Sequence, residues 1–265
     1  MNRQTFTLIL ICTFFIFSCE NRKPIIKSKP KDTIAGVVLT FDDASVNEWY
    51  QTDKILSAYS WKATFCVSKI NTLNLSEITK LLELQKEGHE IAGHGFHHFD
   101  APKFVAKNGI DTYMNQEINP MLDLMDFYSF KVTSFAYPFG FRNVQIDKAL
   151  LKKFKIVRGT TYGAEDPFFQ NCYFNNSKLV FAIGIDLDHP NFSIPYLLKL
   201  LDYAKRKHKI LIVFGHKPVL KVTANYQTKM ETLKLICNYI KQHHMTFYSL
   251  SELNNLKYDI VSLQQ

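Results

Sequence analysis

The sequence predicts an α/β fold with parallel strands, built as one domain. Short apolar, β-branched runs such as Val37–Val38–Leu39 and Ile210–Leu211–Ile212–Val213–Phe214 have the composition and length of buried strands. They alternate with amphipathic stretches at intervals of about 25–40 residues, the rhythm of strand–helix units. No internal repeat and no change of composition divides the chain after about residue 33, so one domain accounts for it. With 265 residues, 46% of them hydrophobic, the chain can fill one sizeable core.

The first nineteen residues read as an export signal. Arg3 gives a positive start, and Phe6 to Phe17 is an apolar run too short to cross a bilayer comfortably. Ile16–Phe17–Ser18–Cys19 resembles a bacterial lipoprotein cleavage box, in which Cys19 becomes the lipidated first residue. Ordinary signal cleavage or an uncleaved anchor is the alternative. Residues 20–32, rich in Lys, Pro and Ser, read as a tether to a domain over 33–265. The expected place is the bacterial cell envelope, held to a membrane through a lipid, with secretion as the alternative.

The formal net charge of +8 suits contact with anionic surfaces. The basic residues are scattered, mostly lysines on expected helix faces, and no Lys/Arg cluster is interleaved with aromatics. No nucleic-acid partner is expected. Of the five cysteines, Cys12 lies in the signal, and Cys66 and Cys237 read as small buried hydrophobes. No Cys-x-x-Cys spacing suggests a thiolate metal site. One disulfide among Cys66, Cys172 and Cys237 stays open.

In chain order, Gly36–Phe41 is the opening strand and Ser45–Tyr59 a helix. Ala63–Val67 is a strand, and a helix capped by Ser76 runs to Gly88. His89 to His98 contains a very short strand broken at Gly93 and Gly95. Asp111–Tyr128 reads as a long helix, interrupted or begun anew near Pro120. Ser134–Tyr137 is a strand stopped by Pro138, Gln145–Phe154 a helix, and Ile156–Arg158 a short strand. Residues 163–178 read as a loop. A strand over Leu179–Ile185, a helix over Ile194–Arg206 and a strand over Lys209–Phe214 follow. A helix over Met230–His243 and a strand over Thr246–Tyr248 finish the fold.

Polar residues stand at several strand ends: Asp42–Asp43, His94–His98, Phe139–Gly140 and His216. The charged Asp42–Asp43 pair is expected just past its strand. By itself an Asp-Asp pair favours a helix cap. Parallel strands in a barrel, however, bring their carboxyl ends to one face. There Asp43, His94 and His98 form a two-imidazole, one-carboxylate set that suits zinc with one position open to water. The four-residue spacing of the two histidines lets one helical turn aim both rings at one ion, with His97 competing for the second place.

Thr40–Phe41–Asp42–Asp43 and His94-Gly-Phe-His-His98 resemble the first two motifs of polysaccharide deacetylases, carbohydrate esterase family four, whose patterns are Thr-Phe-Asp-Asp and His-Ser/Thr-x-x-His. Phe135–Ala136–Tyr137–Pro138–Phe139–Gly140 resembles a variant third motif, and Phe214–Gly215–His216 the last. The four lie in order over residues 36 to about 250. The resemblance implies a distorted (β/α) barrel and one divalent metal ion, commonly zinc. It makes Asp43, His94 and His98 the metal ligands, Asp42 the base, His216 the acid and the Phe139 backbone N–H an oxyanion donor. The implied activity is removal of N-acetyl, or O-acetyl, groups from an envelope or external polysaccharide. The alternative is a catalytically silent lipoprotein that keeps the fold to bind glycan or metal.

Two departures matter. The Arg that opens the third motif and pairs with the base is Ala136 here, leaving Arg142 and Arg158 as candidates for its place. Gly95 stands where the second motif carries Ser or Thr. The Asp that orients the acid His is either Asp186 or Asp188. His189, His243 and His244 read as surface residues, and His89 as support for its strand.

Overall fold

A computed structural model describes residues 34–256. The expected export signal (1–19), Cys19 and the tether (20–32) lie outside the described residues.

Seven parallel strands close into an α/β barrel: β1 (Gly36–Asp43), β2 (Thr64–Val67), β3 (Glu90–Gly93), β4 (Ser134–Ala136), β5 (Ile156–Thr161), β6 (Leu179–Gly184) and β7 (Ile210–Gly215). They stand in chain order, and β1 closes the ring on β7 from Gly36↔Ile210 to Phe41↔Gly215. Closure removes the exposed edges that an open sheet would leave. The eight-residue β1 is long enough to serve three neighbours. Its other edge pairs first with β10 (Thr246–Tyr248) and then with β2.

The outer layer holds α1 (Val46–Leu56), α2 (Leu75–Lys86), α3 (Ala101–Asn108), α4 (Ile110–Tyr113), α5 (Asn119–Phe127), α6 (Val144–Leu150), α7 (Ile194–Arg206) and α8 (Met230–Gln242), and α9 (Leu250–Leu253) follows β10. α7 and α8 show why they dock: Leu197, Leu200, Leu201 and Ala204, and Leu233, Ile236, Cys237 and Ile240, recur at helical spacing and are buried. A small ladder, β8 (Lys217–Val219) with β9 (Gln227–Lys229), lies between β7 and α8 in the chain. Among the described residues no helix is long and apolar enough to cross a membrane.

Strand alternation separates two apolar clusters. Val37, Leu39 and Phe41 belong to the larger one, with the helices, whereas Val38 belongs to a smaller one with Cys66, Ala92, Ala136, Ala182, Ile212 and Phe214. This smaller set is the barrel interior. Leu250 and Leu253 join it at the amino ends of the strands, where the Leu250 N–H donates to Thr64 Oγ1 and the Ser251 N–H to Glu90. Cys66, Ala92, Ala136 and Ala182 are small, and that leaves interior volume for a long side chain. Cys66, Cys172 and Cys237 are all free and buried, so no disulfide joins them.

Several elements differ from expectation. Asp42 and Asp43 lie inside β1, paired with Cys66 and Val67, rather than beyond it. α2 begins earlier than expected: Asn74, not Ser76, is its cap, and its side chain accepts the Glu77 N–H while Glu77 accepts the Asn74 N–H. The long helix is, as expected, interrupted near Pro120, here by a π turn over Met114–Ile118. Proline has no N–H to give and its ring crowds the carbonyl four residues back, so the ladder widens there. α3, β8 and β9 were not expected from the periodicity; each is short.

Candidate active site

The carboxyl ends of the strands surround a cleft of about 510 Å³ lined by Asp42, Asp43, His94, His98, Asp186 and His216 among others. Asp42 and Asp43 are adjacent in an extended strand, which should send their side chains to opposite faces. Asp43 takes φ +83°, and that left-handed turn lets both carboxylates line the same cleft.

Asp43, His94 and His98 converge. His98 Nε2 is 3.2 Å from Asp43 Oδ1, His94 Nε2 is 3.6 Å from the same oxygen, and the two Nε2 atoms are 3.3 Å apart. Ligand bonds of about 2.0–2.1 Å in a tetrahedron put ligand atoms about 3.3–3.4 Å apart. The triangle therefore fits three corners of a tetrahedral zinc site. His94 Nδ1 lies 2.9 Å from the Ala136 carbonyl, a contact that requires the proton on Nδ1 and leaves the Nε2 lone pair for an ion. Burial pushes the His94 imidazolium down to about 4, so the ring is neutral near pH 7. Burial would raise Asp43, but the His98 hydrogen bond and the His94 ring lower it to about 2. No helical turn carries the two histidines. His94 directly follows β3, and the chain then bends at Gly95 (φ +93°) and His98 (φ +65°). His97 points elsewhere, its ring stacked at 4.9 Å on Phe99.

Asp42 is almost wholly buried, and Arg158 of β5 binds both of its carboxylate oxygens through Nη2. Ala136 and Arg158 are register partners on neighbouring strands. Partners in a parallel pair face the same side of the sheet, so an Arg missing from β4 is supplied by the adjacent position on β5. Arg158 has no solvent exposure, and its guanidinium lies 5.1 Å from the Phe214 ring centre. Burial pushes Asp42 up, but Arg158, with His94 and His216, holds it below the ordinary carboxylate range. Arg142 is not in this arrangement: it binds Asp147, and Tyr137 Oη donates to the same carboxylate at 2.8 Å.

His216 follows β7, and its carbonyl accepts the Trp49 indole N–H at 2.9 Å. Its Nδ1 is 2.5 Å from Asp186 Oδ2, and its N–H donates to Asp186 Oδ1 at 3.1 Å. Thr228 Oγ1 donates to that same Oδ1, so β9 fixes the carboxylate that orients the ring. Burial lowers the His216 imidazolium, but the Asp186 hydrogen bond and the Asp42 charge raise it further, to a net position above the ordinary value. Asp188 instead accepts the Tyr226 N–H.

Phe139 lies in a one-turn 3-10 segment, Pro138–Gly140, at φ +58°. The bonds of this turn run from Gly140 N–H to the Tyr137 carbonyl and from Phe141 N–H to the Pro138 carbonyl, neither using the Phe139 amide. Only glycine fits at 140: its φ is +70°, and a Cβ there would lie 1.9 Å from Thr160 Oγ1.

His189, expected on the surface, lines the cleft, parallel to Tyr162 at 5.4 Å and edge-on to Phe214. Thr228 and Tyr226 also belong to the site and were not anticipated; no local pattern marked them. A second group, Asp53, Glu87 and His89, also has closely spaced donor atoms. There His89 Nδ1 accepts the Ala63 N–H, Nε2 contacts Asp53, and Glu87 pairs with Lys54, so these groups brace the strand.

Residues 29–156 match the family model for polysaccharide deacetylase. No curated protein matches the chain. Among solved structures, a mutant of the peptidoglycan deacetylase PdaC from Bacillus subtilis is 17% identical, covering 84% of this chain and 92% of that one, at TM-score 0.52. The catalytic domain of a peptidoglycan N-acetylglucosamine deacetylase from Eubacterium rectale is 14% identical, with 86% and 94% covered, at TM-score 0.55. The chitin deacetylase of the fungus Colletotrichum lindemuthianum is 14% identical, with 88% and 93% covered, at TM-score 0.53. At such identities the likeness shows a shared fold.

Proposed function

We propose that this protein, whose residues 29–156 match the family model for polysaccharide deacetylase, is a metal-dependent hydrolase that removes acetyl groups from a cell-envelope or extracellular polysaccharide. The observation that carries the reading is the meeting of three sets in one cleft: Asp43–His94–His98, Asp42 on Arg158, and His216 on Asp186.

A divalent ion held by Asp43, His94 and His98, zinc by the donor set, would supply Lewis acidity, acidifying water and polarising an acyl carbonyl. Asp42, kept anionic by Arg158, takes the proton of the attacking water. The Phe139 N–H, unused by its own turn, donates to the acyl oxygen as it gains negative charge. An amine leaves poorly unless protonated, and His216, held by Asp186, delivers that proton. The products are acetate and a free amine, or a free hydroxyl from an ester. Cys19, lipidated, would hold the enzyme in the envelope.

The arginine missing at Ala136 favours the silent, binding-only alternative; Arg158 bound to Asp42 from the register-partner position supports the catalytic reading. The test is acetate release from acetylated chitooligosaccharides, peptidoglycan and acetylated xylan, with bound metal measured in parallel. We expect release that stops with Asp42→Asn, and metal loss with His94→Ala. Undiminished activity in Asp42→Asn, or full metal content in His94→Ala, would sink the assignment.

A further inference from the structure

The loop that carries His98 is fastened to one buried carboxylate, that of Glu117. Glu117 has no solvent exposure and sits in the π turn between α4 and α5. Its Oε2 accepts the His97 N–H at 2.7 Å and its Oε1 the Phe99 N–H at 2.9 Å, while the His98 N–H also faces the carboxylate. Its carbonyl accepts the Phe96 N–H at 3.2 Å, and the Gly95 N–H points at Met121 Sδ, 3.2 Å away. All five amides from Gly95 to Phe99 are thus turned toward one helical segment, residues 117–121.

Consecutive amides that converge on an anion form a nest. Here the left-handed backbone at Gly95 and His98 curls the loop around it, and the anion belongs to the protein. For His98 that conformation is disfavoured, since its Cβ crowds the following carbonyl oxygen as a glycine's hydrogen would not. Without an acceptor, the two strongest donors would be buried and unpaired, so the loop would open to reach water. The space is committed as well: a Cβ on Gly95 would lie 2.2 Å from Glu117 Oε1.

We infer that Glu117 is a positioning residue for the metal site, holding His98 in the pose that meets Asp43 and His94. This rests on reading those three as metal ligands. Glu117 is not among the residues that line the cleft; it acts through the backbone of the loop.

The test uses the purified protein and its Glu117→Ala and Glu117→Gln variants. Zn²⁺ affinity is measured by chelator competition, the visible spectrum is recorded with Co²⁺, and amide exchange at His97 and Phe99 is followed without metal. We expect Glu117→Ala to weaken Zn²⁺ at least 10-fold and to alter the Co²⁺ spectrum. We expect Glu117→Gln, which keeps one acceptor oxygen, to fall between it and the native protein. Both variants should exchange those two amides faster. Native affinity and spectrum in a folded Glu117→Ala would overturn the inference. If that variant does not fold, native affinity with native exchange in Glu117→Gln would do the same. A native protein that binds no metal would instead defeat the reading of the ligands, and exchange at the two amides would still report whether Glu117 holds the loop.

Discussion

Arg158 and Asp42 form an almost wholly buried pair, with Asp42 at the cleft end. Removing one partner of such a pair strands the other charge, a loss of about 3–5 kcal/mol. Arg158→Ala should lower stability by that order in urea unfolding and reduce acetate release sharply. Arg142→Ala should leave the pH profile of activity in place, because its carboxylate partner is Asp147. An intact rate and pH profile in Arg158→Ala would exclude it as the support of Asp42. The pH dependence follows from His216. In the proposed role of acid it is competent while protonated, so activity is expected to fall as pH rises through its elevated pKa. Asp186→Asn removes the anionic partner, and the alkaline limb of kcat/KM should move down by about one pH unit. A limb that stays put would assign the titration to another group.

Short elements set the site's geometry more than long ones. The Pro138–Gly140 turn aims one amide, the π turn presents one carboxylate, and β9 supplies one hydroxyl. Each is a local break in periodicity forced by a proline, a positive φ or a two-stranded ladder. Gly140→Ala places a methyl against Thr160 and strains φ, so the turn must shift. If the Phe139 amide is the proposed oxyanion donor, its effect grows as charge develops on the oxygen, and we expect kcat to fall with KM near native. An unchanged kcat would mean that the turn does not place that donor. Gly95 has the same kind of reason: the volume its side chain would use is occupied by Glu117.

At the scale of the whole molecule, closure of the barrel joins groups far apart in the chain. Asp42 on β1 and Arg158 on β5 meet over 116 positions, and Thr228 reaches Asp186 over 42. The interior has room for an arginine because Cys66, Ala92, Ala136 and Ala182 are small, although larger residues such as Val180, its register partner on β6, share the interior. The helical shell, with Trp49 hydrogen-bonded to the His216 carbonyl, ties the outer layer to the same rim.

The sequence by itself determined the alternation of strands and helices, the motif residues Asp42, Asp43, His94, His98 and His216, and the short list of candidates for the missing arginine. These are legible because apolar periodicity and motif spacing are local properties of the chain. It did not decide between Arg142 and Arg158, or between Asp186 and Asp188, because the choice depends on which side chains face one another across the barrel. Ala136 and Arg158 are equivalent only as register partners on β4 and β5, a relation with no trace in their 22-residue separation. Glu117, Thr228 and His189 were illegible for the same reason: each is an ordinary residue until tertiary structure places its side chain at the rim or behind the His98 loop. Only closure of the sheet, which sets distance independently of sequence separation, turns the scattered residues into one site.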